Sequence, residues 1–307
     1  MHYSVMKEES IKGLNLIDSG IYVDCTLGYA GHSSEILKNM KRGFLFAFDQ
    51  DSEAIHYSYQ KLKNISDNFE IIKSNFKNLK EELNKRDIWE VNGILFDLGV
   101  SSPQLDNKDR GFSYHADAKL DMRMDQDSDF SAYNVVNEYS EERLKEIIFK
   151  YGEEKYAGSI AKNIVRYRQN KNIETTLELV EIIKSSMPYK DRMLKHPGKR
   201  TFQAIRMEVN HELEVLEIAL RDALDMLKVG GRVVVITFHS LEDKMVKDIF
   251  KEVSSVDKLV RGLPVIPEEY QPKFRLINNK VIVPSNKELE ENNRSRSSKL
   301  RIIERIK

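Results

Sequence analysis

The sequence predicts an α/β protein with a mostly parallel, doubly wound sheet that is interrupted by an inserted all-helical domain. Short apolar runs alternate with helix-like segments over the first hundred residues, the alternation stops between about residues 105 and 200, and strand character returns near residue 231. Apolar runs with few polar interruptions are typical of strands covered on both faces. Strands that alternate with helices indicate parallel pairing.

The elements follow from these patterns in order. Strands are predicted at 20–25, 43–49, 69–73 and 93–98, with helices at 33–41, 52–64 and 76–86. Within the interruption, amphipathic helices are predicted at 140–151 and 175–187, each opened by a Ser or Thr that can cap it. Later strands are predicted at 231–238 and 299–306. We therefore expect a discontinuous domain of residues 1–104 and 213–307, with residues 105–212 inserted.

Composition excludes several classes of protein. The chain has 307 residues, of which 40% are hydrophobic and 32% charged, and no apolar run reaches the roughly 20 residues of a membrane helix. Cys25 is the single cysteine, which excludes an internal disulfide and a thiolate metal site and favours a cytoplasmic location. The seven histidines lack the spacing of metal ligands. We expect neither a metal nor a membrane partner.

Charge is balanced overall, with 49 basic and 49 acidic residues, but it is segregated along the chain. Residues 190–206 and residues 292–307 each carry a net charge of +5, whereas residues 117–129 carry −3. Such runs are often no more than solvated faces. Two basic clusters in a neutral chain also suit contacts with a phosphate backbone.

A glycine-containing loop follows the first predicted strand. Gly28 and Gly31 lie in Thr26–His32, where the backbone can pass close to a ligand at the carboxyl end of the strand. Asp49 ends the second strand 21 residues after Gly28, the placement of a carboxylate that accepts both ribose hydroxyls of an adenosine. The alternatives are ordinary turn glycines and an aspartate that caps the next helix.

The loop favours S-adenosylmethionine among adenosine cofactors. A dinucleotide loop has a second glycine two residues after the first, and that position is Ala30 here. The sequence also lacks a Gly-Lys-Thr phosphate loop. S-adenosylmethionine has a ribose and an amino-acid tail but no phosphate.

A polar segment that contains a proline, Asp97 to Asp106 (D-L-G-V-S-S-P-Q-L-D), follows the fourth strand. Amino-directed methyltransferases commonly carry an acidic or amide residue and prolines at this place, facing the methyl group. Asp97, Ser101, Ser102 and Pro103 offer a comparable set of acceptors and a rigid backbone. A plain loop with a capping aspartate is the alternative.

These residues resemble the MraW/RsmH family, the bacterial 16S rRNA cytidine-N4 methyltransferases. The resemblance covers nearly the whole chain and rests on long strings in the family's order: D-C-T-L-G-Y-A-G-H-S (24–33), F-D-Q-D (48–51), L-F-D-L-G-V-S-S-P-Q-L-D (95–106), R-G-F-S-Y (110–114), L-D-M-R-M-D (120–125), H-P-G-K-R-T-F-Q-A-I-R (196–206), V-N-H-E-L (209–213), F-H-S-L-E-D (238–243) and R-S-S-K-L-R (296–301). Many relatives have glycine at the position of Ala30, and this change keeps a small residue.

The resemblance implies a class I, Rossmann-like methyltransferase fold in which the insert recognises RNA. It implies methyl transfer from S-adenosylmethionine to the exocyclic N4 amine of a decoding-region cytidine of 16S rRNA, with the small ribosomal subunit as partner. The family's cofactor contacts map onto Ala30, Gly31, His32, Asp49, Phe76, Asp97 and Gln104.

Roles at the substrate are less defined by the sequence. Asp97 or the Ser101–Ser102 pair is a candidate to orient the amine, and Asp97 serving only the cofactor is the alternative that the family mapping favours. Candidate RNA contacts are Arg110, Lys199, Arg200, Arg206, Arg294, Arg296, Lys299 and Arg301. Phe112 and Tyr114 are candidates for stacking on a base, with plain core packing as the alternative for Phe112. His239 follows the fifth predicted strand and could reach the same crevice as a catalytic residue. The favoured alternative is a purely structural histidine.

The sequence is also compatible with three other functions. The nearest is methylation of another amine, in DNA or on a protein side chain. A non-catalytic assembly factor that holds the cofactor or RNA is the second, although the presence of Asp49, Asp97 and Gln104 together disfavours it. A nicotinamide-dependent dehydrogenase is the third and is disfavoured by the loop. The sequence leaves a homodimer open.

Overall fold

The chain divides into two compact units in a computed structural model. The structure describes residues 4–193, 196–256, 260 and 263–307, with only the backbone for residues 102, 103 and 293. Unit 1 comprises residues 1–99 and 213–307, and unit 2 comprises residues 100–212.

Unit 1 contains the strands and their flanking helices. Before the insertion it has α1 (Lys7–Leu14), β1 (Ile21–Asp24), α2 (Gly31–Lys38), β2 (Phe44–Asp49), α3 (Ser52–Lys63), β3 (Phe69–Lys73), a 3₁₀ turn (Phe76–Asn78), α4 (Leu79–Asn84) and β4 (Val91–Asp97). Unit 2 has α5 (Ser102–Asp106), a 3₁₀ turn (Lys108–Arg110), α6 (Ala132–Glu138), α7 (Glu141–Gly152), α8 (Ala157–Arg168), α9 (Thr176–Ser185), α10 (Tyr189–Arg192) and α11 (Gly198–Val209). The chain continues with α12 (Glu212–Asp225), β5 (Leu227–Thr237), α13 (Ser240–Ser254), a 3₁₀ turn (Glu268–Tyr270), β6 (Phe274–Leu276), α14 (Asn286–Glu291), a 3₁₀ turn (Asn293–Ser297) and β7 (Lys299–Arg305).

The described strands form one seven-stranded sheet in the order β3-β2-β1-β4-β5-β7-β6. The first five strands pair in parallel, and β7 pairs antiparallel with both β5 and β6. The predicted α/β class with a mostly parallel sheet is confirmed. The strand order reverses between β1 and β4, and ligands of open α/β sheets bind at such a switch point, outside the carboxyl ends of the strands.

Both faces of the sheet are covered, as the doubly wound prediction requires. Side chains of α1, α2 and α3, including Leu14, Ile36 and Leu62, belong to one buried cluster. Residues of α4, α12 and α13 belong to another, which contains Phe48 and Phe96 from the strands. Because both faces are buried, β1 and β2 carry no charged residue until the aspartate at the carboxyl end of each.

One strand was missed by the sequence analysis. β6 has three residues inside a stretch rich in prolines, and its pairing to β7 joins Phe274 to Arg305 and Leu276 to Ile303. A strand this short at the edge of a sheet has too few alternating positions to give a recognisable pattern. The predicted helix at 76–86 is also divided, since it begins as a 3₁₀ turn before α4.

Unit 2 has a helical core of its own. Apolar residues of α6, α7, α8, α9 and α11 form a continuous buried cluster. The predicted caps are confirmed: the Ser140 side chain accepts a hydrogen bond from the Arg143 N–H, and Thr175 and Glu178 form a capping box at α9. These bonds satisfy backbone N–H groups that a helix start leaves without partners.

Across the residues that the structure describes, none of the helices combines the length and the apolar character needed to cross a membrane.

Candidate active site

The loop after β1 is held by a buried carboxylate. Asp24 ends β1 and accepts hydrogen bonds from the Thr26 N–H at 3.0 Å and the Ser33 hydroxyl at 2.6 Å. The Gly28 carbonyl accepts from Ser58 of α3 at 2.6 Å, and Gly28 itself has a φ of 48°. Glycine adopts that left-handed conformation without strain, and the loop therefore turns at the switch point with its backbone fixed.

Asp49 lies at the end of β2 and faces this loop. Its two carboxylate oxygens accept from the backbone N–H groups of Gly28 and Asp51, each at 2.9 Å. Burial raises the pKa of Asp49 to about 6, against the lowering effect of these two bonds. The side chain of Asp51 caps α3 through the Glu53 N–H, so helix capping does not account for Asp49.

Ala30 and Gly31 form the junction between the loop and α2. Ala30 is fully buried with a φ of 53°, and Gly31 is the first residue of the helix. A Cβ atom at Gly31 would lie 1.6 Å from the Ser4 hydroxyl oxygen. The segment that precedes α1 therefore packs directly on the loop, and a larger residue at position 31 would require Ser4 to move.

Asp97 lies at the end of β4, on the other side of the switch point. Its backbone N–H donates to the Thr26 hydroxyl at 2.8 Å, and its Oδ2 is 3.5 Å from Nδ1 of His32. Its Oδ1 is buried and has no hydrogen-bond partner among the described residues. Burial is the main cause that raises the pKa of Asp97 to about 6. A buried acceptor with an open position is where a ligand donor is expected.

The other predicted cofactor residues lie in both units. Phe76 follows β3 in unit 1 and packs edge-on against Phe96, with ring centroids 5.7 Å apart. Gln104 is buried in unit 2, where its Oε1 accepts from the Ser101 N–H at 3.1 Å. The Ser102 side chain lies outside the described residues. His239 caps α13 by accepting the Glu242 N–H, a structural role.

The residues of unit 1 fit the chemistry of S-adenosylmethionine. Its ribose presents two hydroxyl donors, its tail presents an ammonium, and it has no phosphate. Asp49 is a carboxylate at the end of β2, the place that binds ribose hydroxyls in this class of fold. The open Oδ1 of Asp97 suits an ammonium. Lysine and arginine are absent from the loop at 24–33, which agrees with a ligand that lacks phosphate.

The first basic cluster contains both exposed and paired side chains. Lys199 and Arg200 are exposed near the start of α11. Arg206 is largely covered and forms a two-bond ion pair with Glu212, at 2.7 and 2.8 Å. Lys195 lies outside the described residues. In the described part of unit 2 the exposed cations of this cluster are therefore Lys190, Lys199 and Arg200, and Arg200 also donates to the Glu153 carbonyl at 3.0 Å.

The second basic cluster divides in the same way. Arg294 and Arg296 are exposed in a 3₁₀ turn. Lys299 and Arg301, on β7, form ion pairs with Asp243 at 3.1 and 2.8 Å. These ion pairs connect β7 to α13, so in this structure the two cations stabilise the packing of the helix on the sheet.

The R-G-F-S-Y string forms part of the core of unit 2. Arg110 is only 4% exposed, and its guanidinium donates to the backbone carbonyls of Arg123 and Met124. Phe112 is buried in the same core. Tyr114 is partly exposed and stacks on His196, with centroids 4.3 Å apart and planes at 27°. Arg110 thus stabilises the loop that contains Arg123 and Met124. Tyr114 is partly exposed at the surface.

A buried carboxylate at the end of β2 and an open acceptor at the end of β4, beside the switch point of a Rossmann-like sheet, are typical of small-molecule-dependent enzymes, a class that includes methyltransferases. Comparison with known proteins identifies the family within this class. The model of the MraW methylase family matches residues 1–306, and the chain belongs to that family. The chain is 56% identical to ribosomal RNA small subunit methyltransferase H of Exiguobacterium sibiricum over 307 residues, which is 100% of this chain and 98% of that protein.

Solved structures resemble the chain more loosely. An rRNA methylase from Streptococcus thermophilus has a TM-score of 0.44 at 14% identity and covers 98% of this chain and 95% of its own. A protein from Streptococcus mutans, solved in complex with SAH, has a TM-score of 0.43 at 14% identity, with 99% of each chain covered. The fold class of this chain is given by its own sheet order.

Proposed function

We propose that the protein transfers the methyl group of S-adenosylmethionine to the exocyclic N4 amine of a decoding-region cytidine in 16S rRNA, C1402 in the family. The observation that supports it most is the pair of carboxylates at the switch point, Asp49 and Asp97, both with a pKa raised to about 6. Membership of the MraW methylase family supports the reaction class. The RNA named for the Exiguobacterium relative supports the choice of substrate.

The residues act mainly by positioning, because methyl transfer from a sulfonium is an in-line displacement. Asp49 binds the ribose hydroxyls, and Asp97 accepts a hydrogen bond from the ammonium of the tail through Oδ1. Ala30, Gly31 and the His32 backbone form the floor of the loop. When bound, S-adenosylmethionine supplies an activated methyl group at its sulfonium.

The amine of cytosine is a weak nucleophile because its lone pair is delocalised into the ring. A hydrogen-bond acceptor at the amine localises that pair, and as the N–CH3 bond forms and the S–CH3 bond breaks the nitrogen releases one proton to solvent. We assign this role to Ser101 and Ser102, on the ground that they follow Asp97 by four and five residues in the chain. Gln104 remains a predicted contact of the methionine part of S-adenosylmethionine.

RNA is bound by exposed cations, which neutralise phosphates and make binding sensitive to salt. Lys199 and Arg200 in unit 2, and Arg294 and Arg296 in unit 1, are exposed and supply these contacts. Tyr114 offers a ring on which an unstacked base can stack. We propose that the partner is the small ribosomal subunit and that the protein acts in the cytoplasm. A homodimer remains a prediction from the sequence.

The test is a methylation assay with isotope-labelled S-adenosylmethionine on small ribosomal subunits and on free 16S rRNA from a strain that lacks the gene. Mass spectrometry of the digested RNA should find labelled N4-methylated cytidine, and an Asp97→Asn variant should give much less of it at limiting cofactor. Label on a different base, on DNA or on a protein would contradict the substrate. Tight binding of the cofactor without turnover on any of them would indicate an assembly factor.

A further inference from the structure

The buried imidazole of His32 joins two parts of unit 1. His32 lies in the first turn of α2 and is 5% exposed. Its Nε2 is 3.0 Å from the Val5 carbonyl oxygen, and its Nδ1 is 3.5 Å from Oδ2 of Asp97. The side chain therefore lies between the segment before α1 and the end of β4.

The two contacts fix where protons lie on the ring. A carbonyl oxygen only accepts hydrogen bonds, so Nε2 carries a hydrogen and donates to Val5. In a neutral ring Nδ1 then has a lone pair, and it would face the lone pairs of the Asp97 carboxylate. The 3.5 Å contact is attractive only in a ring that carries a hydrogen on both nitrogens, which lets Nδ1 donate toward Oδ2.

The far side of the imidazole is fixed as well. The Met6 N–H donates to Oε1 of Glu288 in α14 at 2.8 Å, and Ser4 packs on Gly31. Val5, between them, is buried. The carbonyl that accepts from Nε2 is thus flanked by a hydrogen bond at Met6 and by the packing of Ser4 on Gly31, and these contacts fix the position of the imidazole.

The charges around Asp97 make this contact necessary. Asp24 of β1, Glu242 of α13 and Glu288 of α14 all oppose ionisation of Asp97, and His32 favours it. Without the imidazole, the carboxylate would face acidic neighbours in a buried position and would turn or take up a proton. Turning moves the Oδ1 acceptor away from the ligand, and protonation makes it a poorer acceptor for a cation.

We propose that His32 is a positioning residue whose side chain orients Asp97, occupying Oδ2 so that Oδ1 receives the ammonium of the cofactor tail. This inference rests on the proposed function, since it assumes a ligand with adenosine and amino-acid parts. His32 acts on the amino-acid part alone. The adenosine part is held by Asp49 at the other strand and is independent of the imidazole.

The experiment compares two ligands that differ in the tail. S-adenosylhomocysteine has the ammonium, whereas 5′-methylthioadenosine keeps the adenosine and lacks the tail. By isothermal titration, His32→Ala should weaken S-adenosylhomocysteine about 10- to 100-fold, the effect of losing a charge-assisted hydrogen bond. Binding of 5′-methylthioadenosine should change less than about twofold. His56→Ala, at an exposed histidine of α3, is the matched control and should change neither ligand.

Coupling to Asp97 separates positioning from an independent contact. Asp97→Asn should show the same tail-specific loss, and the double variant should bind no worse than Asp97→Asn alone. Additive losses would overturn the proposal, as would equal weakening of both ligands by His32→Ala, because a disordered loop affects both. If the wild-type protein binds neither ligand, the proposed function fails instead.

Conservative variants keep the test decisive if His32→Ala folds poorly. The amide nitrogen of His32→Asn reaches the place of Nδ1 and can donate to Oδ2, and this variant should recover most of the affinity for S-adenosylhomocysteine. The longer His32→Gln reaches the place of Nε2 and should restore the bond to Val5 but not the affinity. Recovery by Gln rather than Asn would overturn the assignment.

Discussion

Glu208 and Asp121 of unit 2 contrast with Asp49 and Asp97 of unit 1 in how they are paired. In unit 2, Glu208 accepts from the Tyr139 hydroxyl at 2.9 Å and from Arg143 at 2.8 Å. Burial alone would raise the pKa of Asp121, but hydrogen bonds from Arg123 outweigh it and the pKa is lowered. In unit 1, Asp49 and Asp97 have no such cation bonds, except for the long contact to His32, and the pKa of each is raised to about 6.

The contrast indicates which charges fold the protein and which bind a ligand. A carboxylate with a cation partner adds stability in the folded state. A buried carboxylate whose pKa is raised opposes folding at neutral pH, and a protein retains it where a ligand makes up the missing interactions. Four predictions separate these two roles, in order of decreasing effect.

Asp49→Ala should give the largest effect. The variant removes the acceptor for both ribose hydroxyls, and two charge-assisted hydrogen bonds correspond to about 4 kcal/mol, or roughly a 1,000-fold loss of affinity for S-adenosylhomocysteine. Isothermal titration measures it. Asp67→Ala, at an exposed carboxylate that pairs with Lys63, is the control and should bind normally. Unchanged affinity in Asp49→Ala would remove the ribose assignment.

Acid should weaken cofactor binding through both carboxylates. Because each pKa is raised to about 6, Asp49 and Asp97 are ionised at pH 7.5 and largely neutral at pH 5. A neutral carboxyl is a poorer acceptor, so affinity for S-adenosylhomocysteine should fall about tenfold per group between pH 7.5 and pH 5. Asp97→Asn should show only half of this decrease on a logarithmic scale. A flat profile down to pH 5 would contradict both assignments.

Glu208→Ala should destabilise unit 2 and leave binding in unit 1 unchanged. The variant leaves the Tyr139 hydroxyl and the Arg143 guanidinium without their shared acceptor, which costs about 2 kcal/mol in the free energy of unfolding. Urea denaturation measures this loss. Titration with S-adenosylhomocysteine at 20 °C checks the cofactor site, because ordinary domains have thermal unfolding midpoints of about 45–65 °C and are folded at that temperature. A large loss of cofactor affinity in this variant would show that the two roles are not separable.

The exposed cations should give the smallest effect. The Lys199→Ala and Arg200→Ala double variant should weaken RNA binding several-fold and make its salt dependence shallower, by about 0.7–0.9 per lost phosphate contact. Filter binding across a salt series measures both. Lys162→Ala, at an exposed lysine of α8, is the matched control. An unchanged slope in the double variant would remove these cations from the RNA surface.

Much of unit 1 is predictable from the sequence because its signals are local. The strands before the insertion, the loop after β1 and the 21-residue spacing from Gly28 to Asp49 all lie within short stretches with strong patterns. The sequence also placed Asp97 at the end of a strand. Local pattern was enough here because parallel strands bring their carboxyl ends to one edge of the sheet.

Pairing over long distances was not predictable. Arg301 lies in a basic cluster of the sequence, but its partner Asp243 is 58 residues away. Arg110 looked available for phosphate and is instead bound by the carbonyls of Arg123 and Met124. Charge counted along a chain does not distinguish an exposed cation from a covered one, and exposure decides which cations can reach an RNA phosphate.

The bond between Met6 and Glu288 joins positions that are 282 residues apart. A nascent chain therefore makes β1 to β5, the parallel part of its sheet, well before the carboxylate that anchors the first helix has been synthesised. Any product terminated before residue 288 lacks that anchor and also lacks β7, which joins β6 to β5. The last part of the chain to be synthesised therefore completes the sheet and fixes the start of the first helix.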